Sequence, residues 1–270
     1  GPQGHRGTAR SAPLSAPPAT PDREPGGIAM DMWRYYEITH AAHTVMNPSS
    51  GERLDELGRV LNLMERHDLY AITDEIYEYM LYDGREHVSL ASLPGAYPRT
   101  ITLSGFSKTY NMTGWRLGYA VAPPPVIDKM GLLNDLIYIC APAPLQYGMA
   151  DALPLDPSYF EQMQTAYAAK RQLMCETLER IGFDVPWPQG AYYVLAGFGP
   201  LRERLGGFAD ARTASETLVR QAGVATVPGP SFFGNPADGE DRLRFCFAKE
   251  MPVLEQACRQ LVEAFGEVPA

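Results

Sequence analysis

The sequence predicts an α/β chain in which a mainly parallel sheet, flanked by helices, is followed by a smaller α+β unit. Residues 30–154 alternate short apolar segments with a long amphipathic one, at the spacing of a βαβ unit, which joins parallel strands. Residues 155–270 contain three helical segments and three strand-like ones. The apolar share of 45% over 270 residues is typical of a globular chain with a real core.

Residues 1–29 form the first region and are predicted to be disordered or irregular. They are rich in Pro, Gly, Ala and Ser and show no apolar periodicity. Such a segment cannot bury enough surface to offset the entropy lost on ordering.

The elements of the second region follow in order. The short apolar segment "HTVM" at 43–46 precedes a helix that Ser49 or Ser50 is expected to cap. That helix carries its apolar side chains on one face, namely Leu54, Leu57, Val60, Leu61 and Met64. The segments "LYAITD", "RTITLSG" and "RLGYAVA" then read as three further strands.

The third region begins with a long helix that Asp156 or Ser158 is expected to N-cap and that ends near Gly182. Next come a strand, "GAYYVLAGF", and a helix, "TASETLVRQAG", which Gly223 ends. They are followed by two strands, "VATVPG" and "RLRFCFA", and by a final helix, "MPVLEQACRQLVEAFG". We expect residues 155–270 to form a small domain of their own.

Charge and composition exclude several classes of protein. The formal charge of −9 argues against nucleic acid as a partner, since phosphate binding needs a basic surface. The four cysteines are far apart and the five histidines stand singly, so we expect no metal site and reduced thiols of a cytoplasmic protein. No apolar run approaches the length of a membrane span, and the N-terminus lacks the apolar stretch of a signal peptide.

Polar residues follow the predicted strands at the points where the strands end. Asn47 follows the first strand, Asp74 ends the second, and Ser107 and Lys108 come after the third. Doubly wound sheets bind ligands at the carboxyl ends of their strands. Each residue alone is typical of a helix cap or a solvated loop; their convergence, with Arg116 close by, favours a binding site.

The residue types at this edge suit pyridoxal 5′-phosphate. A buried lysine loses its proton more easily, and a free amine bonds covalently to an aldehyde cofactor. The planar fork of an arginine matches a phosphate, and an aspartate opposite a pyridine nitrogen keeps that nitrogen protonated. A phosphate loop of the nucleotide-binding kind is excluded, because the spacing from Gly105 to Lys108 in "GFSKT" is too short.

Three segments resemble the class I/II aminotransferases, which are fold-type I enzymes that depend on pyridoxal phosphate. "NPSSG" is similar to that family's Asn-Pro-x-x-Gly turn, and "LYAITDEIYEYMLYDG" to its Asp-Glu-x-Tyr stretch. "SGFSKTYNMTGWRLGY" resembles its lysine segment. Weaker matches continue through "PQGAYYVL", "GVATVPGPSFFG" and "LRFCFA", so the resemblance covers about residues 40–268. It implies part of the family's large cofactor-binding domain, followed by its small C-terminal domain.

The resemblance also implies a role for individual residues. Lys108 is the Schiff-base lysine, and Asp74 partners the pyridine nitrogen and is expected to be buried. Tyr77 and Asn47 donate to the phenolic oxygen of the cofactor. The phosphate and substrate ligands follow from the same comparison: Ser107 and Arg116 hold the phosphate, and Arg244 holds the α-carboxylate of the substrate.

Each of these assignments has a structural alternative. For Tyr77, the alternative is packing on the helix expected after Asp74. For Asn47, which precedes a proline, the alternative is a structural role in forming the turn. Arg244 lies in an alternating strand and shares a face with Arg242. Gly105 occupies a place where many family members have a phosphate-binding serine, and Ser104 is one residue away.

The resemblance implies transfer of an amino group between an amino acid and a 2-oxo acid. There are two alternatives. One is a lyase or synthase on the same scaffold, and the other is a truncated, inactive or partner-dependent remnant of an aminotransferase. Family members carry a long segment before the Asn-Pro turn, and that segment supplies a phosphate loop and an aromatic ring stacked on the cofactor. In this chain, Gly26–Gly27 are the candidates to replace the loop, and Trp33, Tyr35 or Tyr36 are the candidates to replace the ring. We therefore expect a sheet with an apolar face and a free edge, association as a homodimer or with another chain, and weak cofactor retention by this chain alone.

Overall fold

The computed structural model describes residues 50–204 and 206–267, which lie within one compact unit, Met32–Ala270. The predicted irregular segment 1–29, the predicted strand at 43–46 and Asn47 lie outside the described residues. So do the glycines and aromatic residues considered as substitutes for the family's phosphate loop.

The first helix, α1 (Ser50–Arg66), packs on the sheet through the apolar face that its periodicity predicts. Met64 is buried with Leu90 and Ala96, and the cluster is completed by partly buried side chains from α1, from β1 and from the segment that follows β1, namely Leu57, Val60, Leu61, Ala71 and Leu93. The apolar stripe therefore packs on Ala71 at the start of β1 and on the segment between β1 and β2.

The first sheet has three strands among the described residues, β1 (Ala71–Asp74), β2 (Thr100–Gly105) and β3 (Gly118–Val121), in that order. β1 and β2 are parallel, whereas β3 runs antiparallel to β2. The chain reverses after β2 through a short helix, α2 (Phe106–Thr109), and a 3-10 turn at Thr113–Trp115. The sheet is thus mixed among the described residues, and its parallel pair places the ends of β1 and β2 together.

Two helices that the sequence analysis did not assign, α3 (Pro124–Ile137) and α4 (Ala143–Ala152), follow the first sheet. The long helix α5 (Ser158–Ile181) comes next, with Pro157 rather than Asp156 or Ser158 at its N-cap position, although Ser158 N donates to Asp156 Oδ1 at 2.9 Å. It ends at Gly182, whose φ of 97° is the left-handed conformation that glycine adopts most easily.

The second sheet is antiparallel and lies in the C-terminal part of the chain. Its strands β4 (Tyr193–Gly197), β5 (Val227–Pro228) and β6 (Arg242–Cys246) have the order β4-β6-β5. β5 is shorter than "VATVPG" predicts, because Pro228 lacks an amide hydrogen and a 3-10 helix starts at Gly229.

Three helices complete this part: α6 (Gly199–Arg204), α7 (Ala211–Ala222) and α8 (Met251–Phe265). Their buried residues and those of α5 form one core with β4 and β6. Met80 and Tyr82, from the segment after β1, belong to the same core. The domain boundary between residues 154 and 155 stays a prediction.

Backbone contacts fasten that segment to the entry of β4. Leu81 pairs with Gly190 in an isolated antiparallel bridge, and Ala191 N donates to Met80 O at 2.9 Å. Tyr82 N also donates to Gln189 O at 3.1 Å. The residues just after β1 are therefore held against the second sheet.

Candidate active site

Lys108 lies in α2, directly after β2, and is half-buried. Its Nζ is 6.0 Å from the centre of the Tyr77 ring and 5.8 Å from the centre of the Tyr192 ring. The structure thus brings together the lysine and the tyrosine that the sequence predicts to act at one site.

Gly105 sits where the backbones of β2 and β3 approach most closely. A Cβ added there would lie 3.0 Å from the Leu117 carbonyl oxygen and 3.1 Å from Gly118 Cα. Its φ of −178° is ordinary extended backbone, so the close approach rather than the dihedral angle favours glycine. This crowding by backbone atoms disfavours a side chain such as that of serine at Gly105.

Asp74 ends β1 opposite Leu103 of β2, so it emerges beside the segment that carries Lys108. Its Oδ1 accepts a hydrogen bond from Ile76 N at 3.2 Å. The expectation that Asp74 is buried is wrong, because Asp74 is exposed in the structure. Ile72 and Leu103 lie on the same face of the sheet and are also exposed, which shows that this face is open at the end of β1.

The neighbouring Glu75 is buried, and the sequence analysis did not identify it. Its carboxylate accepts hydrogen bonds from Thr73 Oγ1 and Ser89 Oγ, both at 2.9 Å, and contacts His87 Nε2 at 2.8 Å. Burial by itself raises the pKa of Glu75, but the hydrogen bonds from His87, Ser89 and Thr73 outweigh it and hold that pKa below its ordinary value. Glu75 N also donates to Leu103 O at 2.8 Å, so this network fixes the backbone next to Asp74.

Ser107 and Arg116 lie on the loop between β2 and β3. Thr113 Oγ1 donates to Ser107 O at 3.0 Å, and Arg116 Nη1 donates to Thr113 O at 2.9 Å. Arg116 is exposed and has a φ of 57°, a left-handed conformation that is uncommon outside glycine. The two predicted phosphate ligands are therefore joined through Thr113.

Ser104 has a different position from these ligands. It is buried, and its Oγ donates to Glu78 Oε1 at 3.1 Å. Because this hydroxyl already has a partner, the structure gives Ser104 a packing role rather than a place in the site.

Tyr77 lies in a cluster of tyrosines built from both parts of the chain. Its ring meets those of Tyr192 and Tyr193 edge to face, with centroids 5.2 Å and 6.3 Å away. Burial, together with hydrogen bonds to the side chains of Tyr192 and Tyr193, raises the pKa of Tyr77 far above its ordinary value. Tyr77 therefore remains a neutral phenol, able to donate a hydrogen bond.

A regular strand over "GAYYVLAGF" would place Tyr192 and Tyr193 on opposite faces of the sheet. In the structure β4 begins only at Tyr193, and Ala191 before it has a φ of 58°. The chain bends there, so both rings contact Tyr77. The "GAYYV" segment indicated a strand but contained no signal for this bend.

Arg244 lies on β6 between two aromatic rings. Its guanidinium carbon is 4.2 Å from the centre of the Tyr193 ring and 4.4 Å from that of Phe232. Its buried Nε has no hydrogen-bond partner within the described residues. Arg242 on the same strand is within 3.8 Å of the Asp241 carboxylate, so the structure favours Arg244 as the arginine available for an anion.

Asn47, the remaining predicted site residue, lies outside the described residues. Within residues 50–204 and 206–267, no group of three or more His, Cys, Asp or Glu side chains has a metal-binding arrangement. No helix in the same part of the chain is long and apolar enough to cross a membrane. All four cysteines have free thiols.

The chain is similar to several aminotransferases over most of its length. It is 36% identical over 214 residues to aromatic-amino-acid aminotransferase 2 of Thermococcus litoralis, and equally to aspartate aminotransferase of Pyrococcus abyssi. Each match covers 78% of this chain and 53% of the relative. The chain therefore spans about half the length of the curated relatives that it matches.

Solved structures give the same picture. N-succinyldiaminopimelate aminotransferase from Mycobacterium tuberculosis superposes with a TM-score of 0.72 at 29% identity, over 78% of this chain and 54% of that one. The aromatic aminotransferase from Pyrococcus horikoshii has a TM-score of 0.69 at 34% identity, over 77% and 54%. The first sheet with its helices is thus part of a fold-type I large domain, and an α+β domain follows it.

The model of the family "Aminotransferase class I and II" matches residues 52–261, which include Lys108, Asp74, Tyr77 and Arg244. The chain belongs to the class I and II aminotransferase family.

Proposed function

We propose that this chain carries the catalytic residues of a pyridoxal-phosphate-dependent aminotransferase, which transfers an amino group between an amino acid and a 2-oxo acid. The observation that carries the proposal is the placement of the Lys108 amine beside the Tyr77 phenol, at the sheet edge where Asp74 emerges. Membership of the family supports it, as do the names of the relatives.

The side chains present fit this cofactor. The site offers an amine, a carboxylate and a phenol kept neutral by burial and hydrogen bonding. Ser107 and Arg116 add a hydroxyl and a guanidinium on the adjoining loop, and Arg244 has a buried donor without a partner in the described residues. This is the donor set that an anionic aldehyde cofactor and a carboxylate substrate require.

When bound, pyridoxal phosphate supplies an aldehyde and a ring that withdraws electrons from the substrate Cα. Lys108 would hold that aldehyde and later carry a proton to and from the substrate Cα. Asp74 would hold the proton on the ring nitrogen, and the Tyr77 phenol, with Asn47, would donate to the phenolic oxygen. Ser107 and Arg116 would hold the phosphate.

Arg244 would orient the substrate. Its two aromatic neighbours hold the guanidinium plane in place, so its fork meets the α-carboxylate with little loss of side-chain freedom. We also propose that residues 30–154 hold the cofactor and that the domain formed by residues 155–270 contributes Arg244. The protein would act in the cytoplasm, as a homodimer or together with another chain.

The test is a half-reaction with the full chain at saturating pyridoxal phosphate. Aromatic and acidic amino acids are the first donors to try, given the names of the relatives. The expected products are equal amounts of 2-oxo acid and pyridoxamine phosphate, followed by absorbance and chromatography. Release of a lyase product without pyridoxamine phosphate would contradict transamination and support the alternative reaction class on this scaffold.

A further inference from the structure

Two aromatic rings flank the amine of Lys108, and they come from different parts of the chain. Tyr77 lies just after β1, whereas Tyr192 precedes β4 in the C-terminal part. The Tyr192 ring centre is 5.8 Å from Lys108 Nζ, within the range at which an aromatic face attracts an ammonium group. Tyr192 is only 8% exposed, so water competes little for this contact.

Tyr192 is held firmly at this position. Tyr192 O accepts a hydrogen bond from Phe247 N at 3.0 Å, and the amide of the preceding Ala191 donates a hydrogen bond to Met80 O. Gly190 is closely packed, since a Cβ there would lie 3.3 Å from both Met80 O and Leu81 Cδ2. The ring of Tyr192 is therefore fixed relative to the segment that also carries Tyr77.

We propose that Tyr192 is a positioning residue for Lys108, whose ring face holds the lysine ammonium beside Tyr77 whenever the amine is not covalently occupied. The role of that retention rests on the proposed function, in which Lys108 is released and then has to stay near the substrate Cα. The contact itself is a property of this chain without cofactor.

A second lysine–tyrosine pair in the same cluster provides a matched control. Lys170 Nζ is 4.9 Å from the ring centre of Tyr167, and the Tyr167 ring stacks on that of Tyr192 at 5.9 Å. Because Lys170 is the lysine that lies over the Tyr167 ring, a change at Tyr167 should affect Lys170 more than Lys108.

The experiment measures how fast each lysine of the full chain reacts with trinitrobenzenesulfonate below pH 9, by peptide mapping and without cofactor. Tyr192→Phe keeps the ring and removes the hydroxyl, and a pentafluorophenylalanine in place of Tyr192 keeps the shape but reverses the charge of the ring face. Because the attraction to the ammonium is lost, we expect Lys108 to react about two- to five-fold faster in the fluorinated protein than in Tyr192→Phe. The same pair of changes at Tyr167 should accelerate Lys170 more than Lys108.

Equal Lys108 rates in the two ring variants at position 192 would overturn the proposal. An increase in the reaction rate of Lys108 that Lys129 and Lys249 also show would overturn the proposal too, because that pattern indicates loosened packing rather than loss of a local contact. Since the shape of the ring is preserved, we expect both variants to fold, and their thermal unfolding checks this. The assay needs no turnover, so absence of aminotransferase activity would leave its result interpretable.

Discussion

Arg244 is the residue whose surroundings say most about the substrate. Its guanidinium lies between Tyr193 and Phe232, and the buried Nε has no hydrogen-bond partner among the described residues. Arg244→Lys keeps the charge but removes the fork, so we expect substrates with an α-carboxylate to bind about 1–3 kcal/mol more weakly. Titration of the cofactor-loaded protein with a substrate analogue measures the loss.

Arg242→Lys is the matched control for this prediction. Arg242 lies on the same strand beside Asp241, so we expect its substitution to change affinity little. A larger effect at Arg242 than at Arg244 would move the carboxylate site to Arg242.

Glu75 gives the site a predicted dependence on pH. Its folded-state pKa is depressed, so ionised Glu75 contributes stability above its unfolded pKa, and that contribution is lost as pH falls through the folded pKa. Glu75→Gln keeps the shape but mismatches the donors Thr73 and Ser89, which should lower the free energy of unfolding by about 1–3 kcal/mol at pH 7.

Urea unfolding of wild type and Glu75→Gln between pH 3 and pH 7 measures this difference. We expect the gap between the two proteins to shrink as the solution becomes more acidic. A gap that stayed constant over this range would contradict an ionised Glu75.

At the scale of elements, Arg171 joins α5 to the turn after Tyr82. Its Nη1 and Nη2 donate to the two oxygens of Asp83 at 2.8 Å and 2.6 Å, and Nη1 also donates to Pro188 O at 3.0 Å. The guanidinium lies over the rings of Tyr82 and Trp187. This arginine therefore connects the long helix both to the segment after β1 and to the entry of β4.

Arg171→Lys should lower the free energy of unfolding by about 1–3 kcal/mol, because a lysine cannot make the two parallel bonds. Arg180→Lys, on the same helix, is the control, since the pair of Arg180 with Glu267 is about half exposed on both sides and such pairs contribute about 1 kcal/mol or less. Denaturant unfolding followed by tryptophan fluorescence compares the two. A smaller loss at Arg171 than at Arg180 would count against the bidentate contact of the buried Arg171 with Asp83.

The elements that periodicity and caps define were predictable from the sequence. The apolar stripe of α1, the strands around Asp74 and Lys108, and the glycine ends of α5 and α7 match the structure. The helices α3 and α4 were not predicted. α3 lacks a one-sided apolar pattern that would indicate a helix, and in the structure it buries no residue.

The candidate site was predicted in part, and the unpredicted part depends on tertiary packing. Lys108 and Tyr77 stand in local motifs, so the sequence identified them. Tyr192 contacts Lys108 and Tyr77 because the chain bends at Ala191. A hydrogen bond from Ala191 N to Met80 O holds that bend against a segment more than 100 residues earlier in the chain. The exposure of Asp74 likewise depends on what covers the sheet rather than on its neighbours in sequence.

At the scale of the molecule, apolar surfaces are exposed at two places that the structure describes. One is the sheet face with Ile72 and Leu103, and the other is the end of α3, where Leu136 and Ile137 are each 82% exposed. Surfaces of this kind favour association. We therefore expect the purified chain to associate with itself or with another polypeptide, or to be poorly soluble.

The double substitution Leu136→Glu and Ile137→Glu should reduce this association and leave the melting temperature almost unchanged, since both side chains are exposed. Static light scattering against concentration measures the association, and Leu254→Glu in the buried core is the contrasting variant that should unfold the protein. Association as strong in the double variant as in wild type would exclude the end of α3 as a contributor.

The central claim is that Lys108 is the residue that binds the cofactor. The most direct measurement is reduction of the full chain with borohydride at saturating pyridoxal phosphate, followed by peptide mapping. We expect the pyridoxyl mass on the peptide that contains Lys108. Mass on Lys129, Lys170 or Lys249 instead, or no specific label at all, would contradict the account.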